Sequence, residues 1–136
     1  MPITDAKPGA DWLRIVMQNG TPAFDAAFKP EATLQASVLR RLLVGPRLIS
    51  AFFSGTSKMH DELAFTAEAV AGGKTYLEWE GSAFGFSVAG ATILSRNSEG
   101  LITTVRLFHS PFDVVQPFSQ DLAKRLEAVL GPEYFA

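Results

Sequence analysis

The stretch Glu62–Gly81, ELAFTAEAVAGGKTYLEWEG, changes the period of the sequence. Before it, apolar residues recur every three or four positions. Inside it they alternate, and Gly72-Gly73 interrupts the alternation halfway. Period two marks a half-buried strand, and paired glycines tolerate the positive φ of a tight hairpin, so the stretch predicts two antiparallel strands and a turn. FSVAGATILS, Phe86–Ser95, predicts a third strand. RNSEG supplies the next turn, and LITTVRLFHS, Leu101–Ser110, is a fourth strand closed by Pro111. Four strands in this order read as an antiparallel meander.

Working outward, Trp12, Ile15 and Val16 predict a short amphipathic helix from Asp11 to about Asn19, ending before Gly20. Thr21 and Pro22 suit the N-cap and first position of a second helix, with Phe24, Ala27 and Phe28 on one face until Pro30. Ala32–Leu39 alternates weakly and predicts a first strand. Gly45-Pro46 introduces Leu48, Ile49, Phe52 and Phe53, a helical stripe expected to run to about Met59. Beyond the meander, Leu122, Leu126, Val129 and Leu130 predict a terminal helix over Ser119–Leu130, with Asp121 four residues before Arg125 and Gly131-Pro132 as its stop. The expectation is one α+β domain over residues 1–136, without repeat or linker.

Composition narrows the function. Of 136 residues, 47% are hydrophobic and 11 are Phe, which is enough for a sizeable core. A net charge of −2 with Arg40-Arg41 as the one adjacent basic pair gives no footprint for nucleic acid. The absence of cysteine excludes disulfides, thiolate metal sites and a Cys nucleophile. MPITDAKPGADW has neither a basic nor an apolar leader segment, and no apolar run is long enough for a bilayer, so a soluble, cytoplasmic protein without membrane contact is expected. Two histidines far apart in sequence suggest no metal spacing, and no cofactor motif is present. Gly73-Lys74-Thr75 resembles the tail of a phosphate-binding loop, but Glu68 stands where its first glycine belongs, between strands.

The element order, with VGPRLISAFFSGTSKM as a long helix before the sheet and GATILSRNSEGLITTVRLFHSP as a late hairpin around SEGLI, resembles the NTF2-like superfamily and its SnoaL-like branch. The resemblance implies a cone: a strongly bent antiparallel sheet wraps the N-terminal helices and leaves an apolar pocket at its wide end. It also implies a homodimer through the outer sheet face. The superfamily contains polyketide cyclases, steroid isomerases, dehydratases, epoxide hydrolases and non-catalytic binding proteins. This chain departs from the cyclase and isomerase pattern, because no aspartate lies between Glu62 and Ser110 to act as a pocket base. Nor does strand residue Arg106 find the two aspartates of the epoxide hydrolases. The terminal helix is an addition to the simplest members.

Candidate site residues follow from parity. Thr75, Leu77 and Trp79 share one face of their strand; Tyr76, Glu78 and Glu80 share the other. A Glu78 inside an apolar cavity would have a raised pKa and could shuttle protons, whereas on the outer face it is solvated or at a dimer surface. A bulge at Gly81 would flip the parity and bring Phe84 to the Trp79 face. His109 ends the last strand on the parity of Val105 and Leu107, as a candidate acid or base or as a satisfied structural histidine. Arg106 has the opposite parity and can clamp an anion or pair with Glu68, Glu78 or Glu80. His60 at a helix C-terminus is explained by the dipole alone. Phe52 and Phe53 are core positions that can also wall a pocket. The reading is a pocket for a small hydrophobic, oxygen-bearing molecule, lined by Trp79, Arg106, Phe52, Phe53 and Tyr76. One alternative is a lyase or isomerase using Glu78 or His109, and another is a non-catalytic dimeric interaction domain.

Overall fold

The computed structural model describes residues 7–136, so the first half of the leader reading of MPITDAKPGADW, the stretch MPITDA, lies outside the described residues. Helices α1 (Ala10–Val16) and α2 (Pro22–Asp25) lead into strands β1 (Phe28–Ala36) and β2 (Leu43–Val44). Helix α3 (Pro46–Ser57) follows. The meander is β3 (His60–Ala71), β4 (Lys74–Ala83), β5 (Phe86–Arg96) and β6 (Ile102–Ser110), and α4 (Phe112–Arg125) comes last, with a 3-10 turn at Pro132–Tyr134. The sheet order is β2-β1-β6-β5-β4-β3. The meander pairs antiparallel, as expected, while β1 joins β6 in parallel, a pairing that element order alone does not announce.

Four elements differ from expectation: the second helix, the first strand, which runs over Phe28–Ala36 instead of Ala32–Leu39, the two-residue β2, which was not expected, and the last helix. The helix opened by Thr21-Pro22 lasts one turn, and Phe28 begins β1 instead of continuing it. Phe24 and Phe28 are both buried with ring centroids 4.7 Å apart, so a spacing of four was packing rather than helix. Pro30 sits within the strand where the β1–β6 register is interrupted between Phe28 and Thr33, so its missing N–H costs no ladder bond there. At the other end, α4 begins at Phe112, seven residues before the predicted start, and carries Pro117 inside it. It stops at Arg125, but Leu126 and Leu130 beyond it remain buried while Val129 is exposed.

The bend comes from β3. Its register to β4 shifts between His60 and Glu62 and again between Phe65 and Ala67, and each such bulge adds local twist. Gly81 does not flip the parity of β4; Trp79 and Ala83 are both buried. Glycine is needed there because a Cβ would collide with the Glu62 carbonyl across the strand pair. Within the curve, Leu77, Trp79, Leu94, Val105 and Leu107 pack against Trp12 of α1 and Ile49, Phe52 and Phe53 of α3. Helix α4 lies close to α3 because Gly55 leaves room for it: a Cβ there would stand 2.9 Å from Leu122 Cδ1. The buried Ser119 Oγ donates to the Val38 carbonyl at 2.6 Å and accepts from Ala136 N at 3.0 Å, tying α4 to both the chain after β1 and the C-terminus. Among the described residues no helix is long and apolar enough to cross a membrane.

Candidate functional site

His60 opens β3 and His109 stands next to the end of β6, two strands apart across β4 and β5. The bend brings both imidazoles to one tryptophan. Trp79 meets His60 edge to face with centroids 5.7 Å apart and His109 with centroids 5.2 Å apart. From α4, Phe118 covers the same pair at 5.5 Å and 5.1 Å. Two aromatic rings thus hold two imidazoles between them.

The supports are specific. Trp79 Nε1 donates to Thr92 Oγ1 at 3.1 Å, with both groups buried, which fixes the indole. Gly90 gives the ring its space, since a Cβ on it would overlap the benzo edge of Trp79 and the Phe108 carbonyl. Gly90→Ala is therefore expected to cost about 1–3 kcal/mol through overpacking, read as a lower urea midpoint together with an altered Trp79 environment in fluorescence. The Ser37 hydroxyl accepts from His109 N at 2.8 Å and lies 3.4 Å from His109 Nδ1. The hydroxyl can donate to Nδ1 or accept from it, according to the tautomer of the imidazole. His60 Nδ1, by contrast, is buried and has no hydrogen-bond partner among the described residues.

Burial sets the charge state. Desolvation lowers the His109 pKa to about 4, and the neighbouring His60 pushes in the same direction. Burial also lowers that of His60, with Asp61 opposing. Both rings are neutral at pH 7. They border an inner cavity of about 70 Å³ walled by Trp12, Leu13 and Val16 of α1, Phe52 and Phe53 of α3, and Trp79, and no carboxylate lines it. Such a volume is about half that of the cavity known to take benzene. A larger space of about 940 Å³, bordered by Glu62, Glu80 and Ser82, is an open groove beside the sheet and encloses nothing.

Among the predicted site residues, His109, Trp79, Phe52 and Phe53 meet at this cavity. Glu78, Tyr76 and Arg106 do not. Alternation turns their side chains to the outer face, where all three are exposed. Arg106 lies 5.2 Å over the Phe108 ring and makes no ion pair among the described residues. Glu68, named as its possible partner, instead accepts from Gly9 N at 2.8 Å on the inner side. Sequence reasoning missed Phe118, Ser37 and Thr92, and gave His60 no role beyond the helix dipole. No group of three His, Asp or Glu able to hold a metal occurs among the described residues.

No protein-family model and no curated protein matches the chain. Solved structures do match. A steroid delta-isomerase from Pseudomonas aeruginosa superposes with a TM-score of 0.77 at 14% identity, over 88% of each chain. A hypothetical protein with a ketosteroid isomerase-like fold from Catenulispora acidiphila, in complex with trimethylamine, gives 0.55 at 23% identity over 78% of this chain and 92% of that one. A putative isomerase of the SnoaL-like family from Agrobacterium tumefaciens gives 0.51 at 18% identity over 65% and 79%. The fold is thus that of the NTF2-like and SnoaL-like proteins, a curved six-stranded sheet around helices. Identities this low speak for the fold and leave the activity to the site.

Proposed function

We propose that this chain binds a small, mostly apolar molecule bearing a hydroxyl or carbonyl oxygen, with His60 and His109 as its polar anchors. The observation that carries this reading is the meeting of His60 and His109 at one small cavity whose other walls are mostly apolar, Thr56, Ser57 and Thr92 being the remaining polar side chains. His60 Nδ1 is buried without a partner, which costs roughly 1–3 kcal/mol, and a turn of the ring toward a guest would recover that cost. A hydroxyl suits either tautomer because it both donates and accepts. Binding is favoured over acid–base catalysis by the His109 pKa of about 4, since a general base works best when its pKa lies near the working pH.

Calorimetry with phenol and cyclohexanol tests the reading. Saturable binding is expected for the parent, weakened about tenfold by His60→Leu, which removes one hydrogen bond worth about 1–1.5 kcal/mol. Glu78→Gln, on the outer face, should leave it unchanged. Equal binding by His60→Leu and parent would refute the assignment.

A second reading concerns the outer sheet face, where exposed Tyr76 and Phe108 stand among Ala67, Ala69 and Ala91, with Glu78 and Arg106 of opposite charge. This face suits a homodimer in which Arg106 of one copy meets Glu78 of the other. Sedimentation should then show a dimer that Phe108→Glu converts to monomer; a parent that is monomeric at every concentration rules it out.

A further inference from the structure

Beyond the inner cavity, the same face of the sheet continues. Trp79 and Thr92 border the cavity, and the next inward positions, Leu77 and Leu94, floor a cleft of about 420 Å³ that ends at Thr75 and Arg96. Trp12 belongs to the walls of both spaces and stands between them as their partition. Together they fall within the roughly 300–1,000 Å³ usual for ligand sites, whereas the cavity alone does not.

We propose that the cavity and the cleft are two halves of one chamber and that its ligand is elongated and uncharged, with one oxygen at the histidines and a second at Arg96. This rests on the reading of the histidine pair given above and deepens it. Arg96 is half-buried; its guanidinium makes one bond, Nη1 to Thr75 Oγ1 at 3.0 Å, and no ion pair among the described residues. Further N–H donors stay available to an oxygen. Two acids also border the cleft, Asp11, paired with Arg14 at 2.8 Å, and Glu68, bonded to Gly9 N. They disfavour a carboxylate at that end and favour a neutral oxygen. His109 pairs with Gly90 on β5, and Arg96 lies six residues further along that strand, roughly 20 Å at strand rise.

The partition rides on a short helix. Helix α1 has seven residues, buries one side chain, Trp12, and has no side-chain N-cap. Its start is latched to β3 through Gly9, whose N–H reaches Glu68 and whose missing Cβ leaves room for the Phe65 ring. Helix α4, by contrast, is pinned through Ser119 and the C-terminus. Displacing α1 by a fraction of its width opens the partition without disturbing the histidines.

The test is an affinity series with n-butanol, n-octanol and n-dodecanol and the corresponding α,ω-diols, measured on the parent, Arg96→Leu and Arg96→Gln. Affinity should keep rising by up to about fourfold per methylene beyond butanol, and the long diol should exceed its mono-alcohol in the parent. Arg96→Leu should abolish that excess, a loss of about tenfold, while leaving butanol unaffected; Arg96→Gln, which keeps a donor, should retain part of it. A plateau at butanol, or equal losses for diol and mono-alcohol in Arg96→Leu, overturns the chamber and leaves the histidine site standing. Absence of any binding by butanol as well as by the longer alcohols removes the histidine reading, and the chamber with it.

Discussion

Phe118→Ala should destabilise the protein by about 3–5 kcal/mol, in line with loss of a fully buried phenylalanine, and should raise the His109 pKa toward 6.5. Phe118 is wholly inaccessible and its ring meets His60, His109 and Phe84 at once. Truncation leaves a void that water can enter from the α4 side, and water restores solvation to the charged imidazole. The stability part is read from urea midpoints and the second part from an NMR titration of the ring protons. Phe118→Leu serves as the control, with a smaller loss and a smaller pKa change. A His109 pKa unmoved by Phe118→Ala would mean that the helix does not supply the desolvation.

Acid should unfold this protein in a window set by its histidines. His109 has a folded pKa of about 4 against 6.5 when unfolded, because burial disfavours the charged ring. Between those values the unfolded chain binds more protons than the folded one, so stability falls as pH falls. The contribution is fully present above pH 6.5 and is lost progressively toward pH 4, up to about 3 kcal/mol for His109. His60, also lowered by burial, acts with the same sign. Urea unfolding at a series of pH values from 7 to 4 should show the slope, and His109→Asn should flatten much of it. A stability that is level through this window contradicts the half-buried, neutral pair.

What the sequence showed and hid follows from the range of each signal. The alternation of Thr75, Leu77 and Trp79 is local, and it set the tryptophan on the face opposite Glu78 and Glu80 without saying which face turns inward. His109 was legible for the same reason, from its parity with Val105 and Leu107. His60 was not, because β3 begins two residues before the alternating run and reaches Trp79 through a bulge that no sequence period marks. Phe118 was hidden by Pro117, which reads as a helix breaker although α4 continues through it. The Phe24 and Phe28 pair shows the converse error: a spacing of four fitted a helix, while the structure uses it to stack a one-turn helix on the first residue of a strand. The meeting of β3, β6 and α4 around one indole is a product of sheet curvature, and curvature is the property least visible in a single sequence.

The most direct test of the account is an NMR titration of the two histidine rings, first against pH and then against phenol at pH 7. The account predicts that both rings titrate below pH 6.5, His109 near pH 4, and that phenol shifts both sets of ring signals saturably. Two imidazoles that titrate freely near pH 6.5 and ignore phenol would contradict it.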